Sequence, residues 1–173
     1  MTKDMTRVGI VSDTHGFISP DVLSVVETCD IAVHAGDICG KTILDQLEGR
    51  VEKLIAVTGN NDLPDLWDVT EAATVKALPR MIELDLPGGI LAVEHGHLHG
   101  FHHPDHEKLR KAHPEARLII YGHTHHKVID QSKTPWVANP GAAGNTRNNG
   151  GPSCLVLTAS NDSWDIEKFR FQA

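Results

Sequence analysis

The sequence predicts an α/β fold that can divide into two sheets, and three observations lead there. Short apolar runs rich in Val and Ile recur along the chain, and most stop at glycine followed by polar residues. These runs are continuously apolar rather than alternating, as expected of strands covered on both faces. Segments with helical punctuation lie between them. At 173 residues the chain fits one domain, 1–173. It can bury roughly 70% of its unfolded surface without a covalent staple.

Taken in order, the first strand is read at Arg7 to Ser12, before Asp13-Thr14-His15. A helix follows over Pro20 to Thr28, with Ser19 as its cap and proline in the first turn. Ile31 to Ala35 is the second strand, ending at Gly36-Asp37. Lys41 to Glu48 is the second helix, stopped by Gly49. Leu54 to Thr58 precedes Gly59-Asn60-Asn61-Asp62, and Ile90 to Glu94 precedes His95-Gly96-His97. A third helix runs from Asp105 to His113 and ends at Pro114. Leu118 to Tyr121 precedes Gly122-His123-Thr124-His125, and Trp136 to Ala138 precedes Asn139-Pro140-Gly141. Met81 to Leu86, Val128 to Asp130, Cys154 to Thr158 and Trp164 to Phe171 complete the strands.

The composition excludes several classes of function. A net charge of −7 argues against stable nucleic-acid binding, which shows as a basic surplus. No apolar run reaches membrane-spanning length, so no membrane association is expected and the cytoplasm is the default location. Cys29, Cys39 and Cys154 form no C-x-x-C pair and read as small buried hydrophobes. Aromatics make up 5% of the chain, leaving the core to aliphatic side chains. Histidine is the outlier, with 12 residues concentrated between His95 and His126.

Five strand ends carry metal-type ligands, each on the carboxyl side where open α/β sheets build their sites. Asp13 with His15, and His123 with His125, are spaced to face one way on an extended segment. The glycines before Asp37, Asn60 and His123, and Gly96 between two histidines, permit sharp turns there. The donors are nitrogen and oxygen without thiolate, which suits Mn, Fe, Ni, Zn or Co. They are too many for one ion. Two ions about 3.5–4 Å apart are a common device for hydrolysing phosphate esters. Asp37 is the candidate bridge, because a carboxylate has two oxygens to share.

The ordered series D-x-H, G-D, G-N-x-D, H-G-H and G-H-x-H resembles the calcineurin-like metallophosphoesterase superfamily. The size and the motif G-N-N-D make the chain similar to its small YfcE-type phosphodiesterase branch. The resemblance implies a four-layer α/β/β/α sandwich of two mixed sheets flanked by helices. It implies two divalent ions, manganese first among those above. Asp13, His15, Asp37 and His125 would hold one ion, and Asp37, Asn60, His95 and His123 the other. The implied activity is hydrolysis of a small phosphate ester, foremost a phosphodiester, by attack of a metal-bridging hydroxide. Asn60 and His97 would stabilise the developing charge. Members of the branch are often oligomers, which leaves a homo-oligomer open.

One position departs from the pattern. Many members have G-N-H-[DE], where the histidine is thought to protonate the leaving group. Here the residue is Asn61, whose amide has no acidic proton to give. General acid–base help is worth ~10²–10⁴-fold, so either leaving groups that depart without a strong acid are favoured or another donor is recruited from the segment His95 to His106, where His97 ranks first. Asp62, which supports that histidine elsewhere, has no evident role. His34 reads as a buried structural histidine near the site. His113 and His126 read as surface residues, and His99, His102, His103 and His106 as solvated loop and helix start. Arg147 could reach a phosphate oxygen, although an exposed flexible loop is the plainer reading. The alternatives to a phosphodiesterase are a phosphomonoesterase or cyclic-nucleotide phosphodiesterase of the same mechanism, or a non-enzymatic scaffold of the same fold.

Overall fold

The computed structural model describes residues 4–172. Two five-stranded sheets lie face to face. The first contains β1 (Met5–Val11), β2 (Ile31–His34), β3 (Lys53–Ala56), β9 (Ser153–Ser160) and β10 (Trp164–Arg170), in the order β10-β9-β1-β2-β3. The second contains β4 (Met81–Leu86), β5 (Gly89–Glu94), β6 (Leu118–Ile120), β7 (Lys127–Asp130) and β8 (Trp136–Pro140), in the order β4-β5-β6-β8-β7. In each sheet three adjacent strands run parallel: β1, β2 and β3 in one, β5, β6 and β8 in the other. Antiparallel partners flank them. All ten strands stand where the apolar runs predict them.

Continuous apolarity is explained by the burial. Along β1, Val8 and Ile10 point into the space between the sheets, while Val11 points outward under the helices. In β6, Leu118 and Ile120 face the inter-sheet core and Ile119 the opposite side. Burying each such side chain contributes roughly 1.5–3 kcal/mol. Helices α1 (Pro20–Val26) and α2 (Lys41–Glu48) cover the first sheet with Val22, Leu23, Val26, Ile43, Leu44 and Leu47. Helix α4 (His106–Ala112) covers the second through Leu109. The layers are therefore helix, sheet, sheet, helix.

Three local details add to the sequence reading or amend it. Ser19 does not cap α1 with its side chain; its carbonyl accepts from Leu23 N at 3.0 Å, and Pro20 sets the start. Gly49 ends α2 as expected, with an ordinary right-handed φ of −68°. A short helix, α3 (Ala72–Ala77), follows a 3₁₀ turn at Val69–Glu71. It had no apolar period to betray it, since Val75 is its one buried residue.

The register decides what this fold presents. Val11, His34 and Ala56 lie side by side at the ends of β1, β2 and β3. Val93, Ile120 and Ala138 do the same in β5, β6 and β8. The segments that follow these strands therefore emerge along adjacent carboxyl edges of the two sheets.

Candidate metal centre

The polar residues just beyond those edges converge. Asp13, His15 and His125 form one group and Asp37, His95 and His123 a second, with one ligand-type atom from each member within 4.8 Å of the others in its group. His15 Nε2 lies 3.2 Å from His125 Nε2, and His125 Nε2 lies 3.5 Å from Asp13 Oδ1. Asp37 Oδ2 joins the groups, at 3.6 Å from His15 Nε2 and 3.4 Å from His95 Nε2. Asn60 Oδ1 lies 3.0 Å from His123 Nδ1, which puts it beside the second group as well. All seven predicted ligands are thus brought together.

The local backbone differs from the expected extended pairs. Asp13, His15, Asp37, His123 and His125 have φ of 53°, 45°, 55°, 72° and 62°. That left-handed region is uncommon for residues with a Cβ and marks stored strain. The donors project from tight turns, so the two-residue spacing works through curvature and not through a pleat. The glycines divide by purpose. Gly36 and Gly96 do take positive φ, 104° and 96°. Gly59 and Gly122 serve instead by leaving space: a Cβ on Gly59 would sit 2.9 Å from Asp37 Cγ, and one on Gly122 2.8 Å from Asp13 Oδ2.

Neighbouring groups aim the donors. His95 Nδ1 donates to Ala35 O and His125 Nδ1 to Thr146 O, both at 2.8 Å. Each imidazole therefore turns Nε2 inward, the arrangement by which protein carbonyls orient metal-binding histidines. Asp13 Oδ2 accepts from Ser12 Oγ at 2.7 Å and His123 N at 3.0 Å. Its other oxygen, Oδ1, is buried with no hydrogen-bond partner, and so is His95 Nε2. Buried polar atoms without partners are costly. Two of them facing a cluster of nitrogen and oxygen donors at 3.4–3.9 Å suit a bound cation. The residues therefore fit divalent metal ions.

The electrostatics of the cluster are set by burial and by its own charges. Burial pushes Asp13 up to about 7, against the opposing pull of His95 and Ser12. Burial acts the same way on Asp37, but His95 and the two hydrogen bonds from Asn61 outweigh it and hold the carboxyl well below its usual range. His95 would be depressed by burial, yet the nearby Asp37 and Asp13 raise it to about 9. His15, His123 and His125 are all lowered, chiefly by burial, which favours neutral imidazoles with a free lone pair.

The sequence reading missed several supports. Asp62 is a clamp. Its carboxylate accepts from Ile38 N, Cys39 N, Gly59 N and Trp67 Nε1 at 2.8–3.1 Å, joining the loops after β2 and β3. Asn61 donates from N and from Nδ2 to the two oxygens of Asp37, both at 2.9 Å. Asn139 donates to Gly122 O at 2.8 Å and fixes the loop that carries His123 and His125. Cys39 is only half-buried, with Sγ 3.7 Å from His15 Nδ1.

The remaining histidines separate into four fates. His34 is fully buried as expected, accepting from Gly36 N at Nδ1 and bonding Thr14 Oγ1 through Nε2. His113 is a correction: it is buried, with Nε2 2.5 Å from Glu94 Oε2, because that carboxylate is interior and needs a partner. His99 meets the other oxygen of Glu94 at 2.9 Å, and His106 lies between Asp130 and Tyr121, so neither is simply solvated. His102, His103 and His126 are exposed. His97 is half-buried, its ring 5.5 Å from His95 and 6.0 Å from His123. It lines a cavity next to the one above Asp37, and Asn60 belongs to both.

Known proteins resemble this chain throughout. The model of the calcineurin-like phosphoesterase superfamily domain matches residues 6–162. A probable metallophosphoesterase of Methanocaldococcus jannaschii is 30% identical, over 78% of this chain and 67% of its own length. A phosphodiesterase of the same organism is 28% identical, over 78% of this chain and 82% of its own. Among solved structures, a single-residue variant of Vps29 from Entamoeba histolytica superposes with a TM-score of 0.75 at 20% identity, covering 96% of this chain and 99% of that one. At that identity the likeness speaks for the fold alone.

Proposed function

This chain belongs to the calcineurin-like phosphoesterase superfamily, and from that premise we propose that it is a phosphodiesterase that works with two divalent metal ions. The observation that carries the reading is the joining of two complete donor groups across Asp37 Oδ2. Asp13, His15 and His125 would hold one ion, and Asn60, His95 and His123 the other, with Asp37 shared. The donor chemistry suits Mn, Fe, Ni, Zn or Co, and Mn is the ion proposed first. When bound, such ions supply positive charge against the ester oxygens and lower the pKa of water.

The chain's own residues divide the remaining work. Ala35 and Thr146 carbonyls keep His95 and His125 in the tautomer that can bind. Asn60 stands at the boundary of both cavities, where its amide can donate to an ester oxygen, and His97 stands beside it. Asn61 holds Asp37 through both oxygens and brings no acidic proton to the leaving group. That supports diesters with good leaving groups over alkyl monoesters. The expected substrate is a small phosphate ester, and self-association and a cytoplasmic location are part of the same proposal. None of the described helices is long and apolar enough to cross a membrane.

The test is release of 4-nitrophenol from bis(4-nitrophenyl) phosphate by manganese-loaded protein. Asp37→Ala should lose on the order of 10³ in rate, since a metal supplies several kcal/mol of transition-state stabilisation. It should also bind fewer than two ions per chain. Equal activity in Asp37→Ala or in chelator-treated protein sinks the proposal.

A further inference from the structure

We propose that the rim of the cavity above Asp37 is a subsite for a second phosphate group of the substrate, with Arg147 as the residue that determines this specificity. The inference rests on the phosphodiesterase reading and narrows its substrate class. The cavity has a volume of ≈300 Å³, with Asp37, Asn60 and Asn61 among its walls. Its rim carries Arg147, His102, His103 and His126, all exposed, and Asp37 is the one acid among its lining residues.

Arg147 is held in place. Its backbone has φ of 45°, a conformation residues with a Cβ seldom take. Asn149 Nδ2 donates both to Arg147 O at 2.9 Å and to His125 O at 3.0 Å. On the other side, Thr146 O accepts from His125 Nδ1. The peptide units flanking Arg147 are thus tied to a histidine of the centre, which replaces the reading of a free loop. Among the described residues its guanidinium has no ion pair or hydrogen bond, in a chain with 23 acidic residues.

An unpaired guanidinium over an opening is a receptor for an anion. The scissile phosphate must descend to Asp37 and Asn60, where the metals would meet its charge. Arg147 is exposed at the mouth, so the anion it meets is a different one. A phosphomonoester group offers about −1.5 to −2 charges and three acceptor oxygens. These match the two-pronged guanidinium, with imidazoles as further donors. Phe101, exposed and edge-on to His123 at 4.8 Å, gives the connecting part of the substrate an apolar wall.

Two substrates differing only in the second phosphate decide this: the 4-nitrophenyl ester of thymidine 5′-phosphate with a 3′-hydroxyl, and the same ester with a 3′-phosphate. With manganese-loaded protein the 3′-phosphate should raise kcat/KM about tenfold or more, mainly through KM. Arg147→Ala should lose most of that preference, with a several-fold smaller loss on the 3′-hydroxyl ester, and Arg147→Lys should keep part of it. No preference in the parent overturns the proposal. So does an equal loss on both esters, which would put Arg147 on the scissile phosphate. Calorimetric binding of thymidine 3′,5′-bisphosphate against thymidine 5′-phosphate separates the two layers. If neither ester is hydrolysed but the bisphosphate binds tighter in the parent and not in Arg147→Ala, the phosphodiesterase reading fails and the subsite stands. If the esters are hydrolysed without such a difference, the subsite fails alone.

Discussion

The floor of the site and its rim are built by opposite means. Asp13, Asp37 and His95 at the floor are buried, flanked by glycines with no room for a Cβ, and held by hydrogen bonds from both sheets. His102, His103, His126 and Arg147 at the rim are exposed, and His102 and His103 come from the connection between β5 and α4. Close packing leaves a floor atom few alternatives. A rim residue is set by loop conformation and can change without disturbing the core. The proposed chemistry is thus anchored in the densest part of the fold, while the proposed selectivity would lie where substitutions are tolerated.

The clamp beneath the floor offers the strongest way to break this contrast. Asp62→Ala leaves four donors without their acceptor. We expect a loss of about 3 kcal/mol or more by denaturant unfolding, since each unsatisfied buried group costs roughly 1–3 kcal/mol. Stability close to the parent would mean that the floor relaxes freely and is no more rigid than the rim.

The next effect concerns pH in the metal-free protein. Burial favours neutral His34 and His125, whose values fall to about 3 and about 4. Their contribution is present above 6.5 and is lost as pH falls towards those values. His95 is raised to about 9, so its contribution is complete below 6.5 and is lost as pH climbs through 9. Asp13, raised to about 7, loses its share on the way up to that pH. Melting temperature without metal should therefore peak near pH 6.5 and decline to pH 9. Added Mn²⁺ should remove the alkaline decline, because ligands must shed their protons to bind. A decline that persists unchanged with metal would show that the ion does not reach these groups.

The smallest effect is at Asn61. Asn61→His should raise monoesterase over diesterase activity by about tenfold, below the full ~10²–10⁴ of general acid catalysis. The shortfall follows from Asp62, which is already engaged by four donors and cannot also orient a new imidazole. An unchanged ratio would remove the account of Asn61 given above.

The strands and the cluster of polar residues beyond them were legible because both are local signals. An apolar run such as LIIY before G-H-T-H carries its burial and its ligands within a few residues. What could not be read depends on partners far along the chain. His113 is interior because Glu94, 19 residues away, needs a donor. Asp62 acts on Ile38 and Cys39, 24 and 23 residues earlier. The left-handed backbone at five donor residues has no compositional mark at all, since Asp and His are placed where glycine would be easier.

The hydrogen bond from His123 N to Asp13 Oδ2 joins residues 110 apart in sequence, one just beyond a strand of each sheet. A divalent ion held by Asp13, His15 and His125 would fasten that same junction with far stronger bonds. It would then act as a removable cross-link on a very long chain loop, lowering the entropy of any state in which the sheets separate. Metal release and parting of the two sheets would be linked events, and a cation chosen for its chemistry would also govern how slowly the protein unfolds.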